Sequence, residues 1–220
     1  MDERVRQARL LYERAVFGGD AGLLDQADRE LNAAQAELDV ARGRILHTRF
    51  LLQRDEDPAA AREEPAELPL FERAAQLFQA LGDVRGEAEA LFWSGCFHQV
   101  VRRDNEAAGP LLQRSLELAS QTGDRATMSE ALRHLGIEAH FTGRPALARQ
   151  YLEESTRLRR EIGLLPGVAA NLIGLAYIAA AQGRGADVPP LLDEAAAIAE
   201  AADAQRLLQS VSEARAELPG

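Results

Sequence analysis

The strongest constraint on this chain is that it repeats itself. The apolar pairs Leu70-Phe71, Leu111-Leu112, Tyr151-Leu152 and Leu191-Leu192 recur at steps of 41, 40 and 40 residues. Leu77, Leu118, Leu158 and Ile198 keep the same steps. Gly82-Asp83 returns as Gly123-Asp124, and Gly163 follows 40 residues later. Pro69, Pro110 and Pro190 precede three of the four pairs. A period near forty marks a stacked array, in which each unit buries its apolar face only against its neighbours.

A second series falls between these marks. Gly95, Gly136 and Gly174 are each followed twelve residues later by alanine, at Ala107, Ala148 and Ala186. Five residues before each glycine stands another alanine, at Ala90, Ala131 and Ala169. Each unit therefore reads as two helices. The first covers about 84–102, 125–142 and 167–182 in successive copies, with apolar residues at spacings of three and four, as in Ala131, Leu132, Leu135 and Ala139. A mid-helix glycine costs about 1 kcal/mol against alanine, a cost offset if it lets a neighbouring helix come close. The second helix starts near the alanine and proline, proline being suited to a first turn. It ends at Gly82, Gly123 or Gly163, where a left-handed C-terminal residue is wanted. Asp83 and Asp124 then stand as N-caps for the helix that follows.

Leu135-Gly136, Gly143, Ala148 and Leu152, with Tyr177 as the aromatic after Gly174, resemble the tetratricopeptide repeat (TPR). The form resembled is the longer, forty-residue one of bacterial regulator and signalling proteins. The resemblance covers about residues 36–202 and implies an all-α fold, a right-handed α-α superhelix (TPR-like solenoid) of antiparallel helix pairs. The pattern departs in having no tryptophan at the usual first-helix position, His98 and Ala139 where an aromatic is expected, and extra residues before Ala186.

One solenoid domain is expected over 1–220. Gly43 matches the repeat glycines and centres a first helix at about 36–53, but it lies 52 residues before Gly95, so this copy carries about a dozen extra residues. They are placed in 54–67, a polar stretch with Pro58 and Pro65 that reads as a loop. Two further helices, about 3–17 and 20–34, are split by Gly18-Gly19 with Asp20 as cap, making an N-terminal helix pair over 1–35. Residues 203–220 hold a closing helix to about 217, before Pro219-Gly220, covering the last apolar face as a solenoid requires.

Composition removes several function classes. All 25 basic residues are arginine, so this chain holds no P-loop lysine, Schiff-base lysine or kinase-type phosphate lysine. The net charge is -10, with the acid excess at the two ends and no basic stripe, so nucleic acid is not an expected partner. Cys96 is the single cysteine and cannot form an internal disulfide, which fits a reducing compartment. The start, MDERVRQARL, has no apolar signal core, and a cytoplasmic location is expected. The uncharged stretch 162–183 contains Pro166, Asn171 and Gln182 and reads as a helix buried on most sides rather than a membrane span.

The search for chemistry yields little. His134 and Glu138 share a helical face, but no second pair completes a metal site, and none is expected. Cys96 and His98 are two apart and do not face each other on a helix. Glu153, Glu154, Arg157 and Glu161 read as a solvated face, and Arg157, Arg159 and Arg160 as a small surface cluster. No catalytic residue and no cofactor are expected, and the chain is read as not an enzyme.

The resemblance implies that first helices line a concave surface at three positions, counted as three before, one after and four after each glycine. These are Val40, Arg44 and His47; Phe92, Cys96 and Gln99; Arg133, Ile137 and His140; Asn171, Leu175 and Ile178. The mix of apolar area with a few polar groups suits a peptide or small-ligand site. Arg133 could hold a carboxylate and Asn171 a peptide amide. The expected function is a protein–protein interaction scaffold or adaptor binding a peptide segment. The alternative is a regulatory module sensing a small molecule in the same groove. Pairing with a second copy is open, and the 54–67 loop is a candidate lid.

Overall fold

A computed structural model describes residues 2–218 and divides the chain into two compact units, one up to Leu118 and one from Ala119 onward. Among the described residues every regular element is a helix. The first unit holds α1 (Glu3–Gly18), α2 (Gly22–Glu56), α3 (Glu67–Leu81), α4 (Val84–Val100) and most of α5 (Asn105–Thr122). The second holds the end of α5, α6 (Arg125–Phe141), α7 (Pro145–Glu161), α8 (Leu165–Ala181), a 3₁₀ turn (Gly185–Asp187), α9 (Val188–Ala201) and α10 (Gln205–Glu217). Within each unit, consecutive helices pack as antiparallel pairs, the all-α TPR-like architecture.

The predicted boundaries have the expected physical causes. The Asp83 carboxylate accepts from Gly86 N at 2.9 Å, and that of Asp124 accepts from Ala126 N at 3.2 Å. Gly82, Gly123 and Gly163 sit at φ of 74°, 66° and 72°, in the left-handed region. A Cβ on Gly82 would meet nothing within 4 Å, so substitution there tests backbone strain alone. Gly82→Ala is expected to lower stability by about 1 kcal/mol in urea denaturation. Gly18→Ala, at the end of α1 with open space and an ordinary φ, should leave stability unchanged or raise it by a few tenths.

The repeat glycines are seats for large side chains. A Cβ on Gly43 would lie 2.4 Å from the Phe71 ring, one on Gly95 2.8 Å from Leu112, and one on Gly136 3.1 Å from Leu152. Phe71, Leu112, Leu152 and Leu192, the second members of the four apolar pairs, are all essentially buried, each contributing about 1.5–3 kcal/mol by leaving water. Small residues mark the other crossing. Ala74, Ser115, Ser155 and Ala195, at steps of 41, 40 and 40, are all 0% exposed. The two serines tie neighbouring helices by donating to backbone carbonyls, Ser115 to Ala88 at 2.8 Å and Ser155 to Ser129 at 2.6 Å.

Several expectations need correction. The helices expected at 20–34 and 36–53 are one 35-residue helix, α2, because no glycine or proline interrupts residues 23–42. The irregular segment is 57–66, shorter than expected at both ends. The series buried at steps of 40 is Leu68, Ala108, Ala148 and Val188, not Ala107, Ala148 and Ala186, since the 3₁₀ turn absorbs the extra residues and leaves Ala186 exposed. Pro110 lies in the second turn of α5, which starts at Asn105, rather than in the first. Arg159 is 2% exposed and is no part of a surface cluster. The uncharged stretch becomes α8, buried at nine positions as expected, and no described helix is long and apolar enough to cross a membrane. The expected closing helix is α10, while Pro219-Gly220 lies outside the described residues.

Candidate functional site

In the second unit, α6, α7 and α8 enclose a cleft of about 400 Å³. Its lining is Gly136, Ile137, His140 and Phe141 from α6, Leu152 from α7, and Gly174, Tyr177 and Ile178 from α8. The two glycines create the space, since a side chain at either would project toward Leu152. Phe141 is 76% exposed and forms an open apolar wall, its ring edge-on to His140 at 5.7 Å. His140 Nδ1 is buried without a hydrogen-bond partner among the described residues. The Tyr177 hydroxyl donates to Glu217 on α10 at 2.8 Å. Burial, then this carboxylate, push the Tyr177 phenol up to about 12. The chemistry on offer is therefore apolar contact with one ring nitrogen and one phenol nearby.

Ile137, His140 and Ile178, expected from the sequence, meet in this cleft. The other second-unit candidates do not join them. Asn171 is fully buried and its carboxamide is spent internally. Its oxygen accepts from Arg133 at 2.9 Å and Arg159 at 3.1 Å, and its nitrogen donates to Ser155 at 2.8 Å. Arg133 also donates to the Ala170 carbonyl at 3.0 Å, so its guanidinium bridges α6 to α8. Arg159 completes the network by donating to Gly167 O at 2.8 Å and Glu130 at 2.6 Å. Burial lowers its pKa against the opposing pull of Glu130. Leu175 is buried and borders a separate cleft with Thr156, Leu172 and Leu191.

The first-unit candidates gather around Trp93. Arg44 is exposed, its guanidinium 5.3 Å from the Trp93 ring and 3.4 Å from Glu89. Phe92 is buried, edge-on to Trp93 at 5.1 Å. Gln99, half-buried, donates to Asn105 at 3.4 Å. His47 and Cys96, expected to line the concave surface, are each only 3% exposed. His47 Nδ1 and a Glu67 carboxyl oxygen share a hydrogen bond at 2.7 Å, and His47 Nε2 faces the Cys96 sulfur at 3.6 Å. Thiol, imidazole and carboxyl stand in the order of an activated nucleophile, but within the core. Glu67, 0% exposed, is the member that sequence reading missed. Its signal was available as an acid at the start of α3, three residues before the Leu70-Phe71 pair. The loop is held at its end by Glu63, which accepts two bonds from Arg102 at 3.1 and 2.7 Å, the guanidinium holding the carboxyl below its ordinary pKa. Among the described residues no three His, Cys, Asp or Glu side chains come together to hold a metal ion.

Residues 100–161 match the tetratricopeptide repeat family. No curated protein matches the chain. The matched segment contains α5, α6 and α7, the seat of Leu152 on Gly136 and the Ser155 tie. The match identifies residues 100–161 as a tetratricopeptide repeat segment, and the helix pairs of both units have the all-α, TPR-like architecture.

Proposed function

We propose that the chain is a non-catalytic interaction scaffold whose α6–α8 cleft receives an apolar side chain from a peptide segment of a partner protein. Tetratricopeptide repeats in general mediate protein–protein interaction and are scaffolds rather than catalysts, which supports the coarse reading. The finer reading rests on one observation: an apolar cleft of about 400 Å³ walled by Ile137, Tyr177, Ile178 and the exposed Phe141. An exposed aromatic beside an apolar recess is a common anchor for a partner side chain. The single thiol, buried at Cys96, suits a reducing cytoplasm.

The test is peptide selection from a displayed library against the wild type, then against Phe141→Ala and Ile137→Ser. Selected peptides should share one large apolar residue, and each variant should weaken them about tenfold or more with helicity unchanged. Peptides that bind both variants as tightly as the wild type would sink the proposal. The cleft volume also lies in the range of small-ligand pockets, which favours the sensor as second reading. A rise in Tm with a small apolar compound, abolished by Ile137→Ser, would favour the sensor over the peptide.

A further inference from the structure

One face of α2 stays largely open among the described residues, bordered by α1 only along its N-terminal half. Leu24, Leu31, Leu38, Ile45 and Leu52 follow at strict steps of seven and are 43–54% exposed. The opposite face packs Ala36, Val40, Gly43, His47 and Phe50 into the first unit. Single exposed leucines are ordinary on protein surfaces. Five at one heptad position along about 42 Å of one helix, flanked by Asp28, Gln35, Arg42 and Arg49, form a continuous apolar ridge along which a second helix can lie.

The charges beside the seam choose the partner. Leaving aside Asp39, which is buried on the opposite face against Arg73, Gly22–Leu38 carries Asp25, Asp28, Glu30 and Glu37 against Arg29 alone, whereas Val40–Glu56 carries Arg42, Arg44, Arg49 and Arg54 against Asp55 and Glu56. The helix is thus acidic in one half and basic in the other. Asp28, Arg42 and Arg49 are exposed and make no ion pair among the described residues, although most arginines of the chain do. We propose that α2 pairs antiparallel with α2 of a second copy of this chain, centred on Leu38. Leu24 then faces Leu52 of the other copy, Leu31 faces Ile45, and Leu38 faces itself. Asp28 comes beside Arg49 and Gln35 beside Arg42. A parallel pair would set Asp28 against Asp28 and Arg49 against Arg49, which like-charge repulsion opposes.

A recess receives the other end of the seam. Val5, Ala8 and Tyr12 of α1 and Leu24, Ala27 and Leu31 of α2 line a cleft of about 530 Å³, with Arg9 and Asp28 at its edge. In the antiparallel arrangement Ile45 and Leu52 of the second copy lie over this cleft. The twofold symmetry makes both clefts fill at once, a closed interface that leaves no seam for further copies.

Sedimentation of the full chain over a range of concentrations tests this. The wild type should approach twice 24.0 kDa, and Leu38→Glu, which sets two carboxylates on the axis, should remain at the single-chain mass with unchanged helicity. Charge exchange fixes orientation independently of that variant. Asp28→Arg and Arg49→Asp should each weaken association about tenfold or more, and the double variant should restore it. A wild type that stays single at all concentrations overturns the proposal. So does a dimer indifferent to Leu38→Glu, or one in which the double exchange fails to rescue.

Discussion

His47→Ala is expected to destabilise the first unit by about 3–5 kcal/mol in urea denaturation, the cost of removing one member of a buried polar pair. The reason is Glu67. Its carboxyl is 0% exposed, one oxygen has the imidazole as its partner at 2.7 Å, and Oε2 has none among the described residues. Without the ring, the carboxyl stays in the core with nothing to replace water, and a space opens beside Trp93, whose ring lies 5.6 Å from that of His47. Replacing both groups, as His47→Leu with Glu67→Leu, should cost less than His47→Ala alone, because no orphaned polar group remains. A loss below about 1 kcal/mol for His47→Ala, within the range of surface substitutions and their error, would mean that the pair does not hold the core as described.

Asn171→Leu is expected to cost about 3 kcal/mol in the second unit. The fully buried carboxamide accepts from two guanidinium groups and donates to Ser155. Leucine has nearly the same shape and makes none of these bonds. The largest penalty falls on Arg159, which is 2% exposed and whose Nε already lacks a partner. A double-mutant cycle with Arg159→Met separates the contributions. The two losses should fall short of adding by about 1 kcal/mol or more, since the second substitution removes the group stranded by the first. Strict additivity would show that the two side chains do not act as one network.

The parts of the fold that were legible in the sequence are those set by local geometry and by period. The left-handed glycines after α3, α5 and α7, the aspartate caps of α4 and α6, and the glycines that seat Phe71, Leu112 and Leu152 leave marks in the sequence. Counting from those glycines brought Ile137, His140 and Ile178 to the cleft, because that stretch keeps the repeat without insertion. The same counting put His47 and Asn171 on the open groove, whereas both are buried. It could not register that Glu67, reached across an irregular segment, meets His47, or that Arg159 from α7 turns inward onto Asn171. Both partners are long-range, and long-range polar pairing has no period. Cys96 shows this most sharply: His98 is its neighbour in sequence, yet its neighbour in space is His47. Phe141 and Tyr177 were missed as cleft walls because both fall off the counted positions.

The glycine seats imply that the order of the repeats is written into their packing. Gly43 receives a phenyl ring, whereas Gly95 and Gly136 receive the branched end of a leucine. A seat and its occupant come from different helices, so the two must be inherited together. A repeat transplanted to another place in the array would bring an occupant of another shape, a phenyl ring where a leucine sits at Gly136 or a leucine where a ring sits at Gly43. The copies are alike enough to stack but not to be shuffled, and growth of such an array by simple duplication would require the new junction to be refitted.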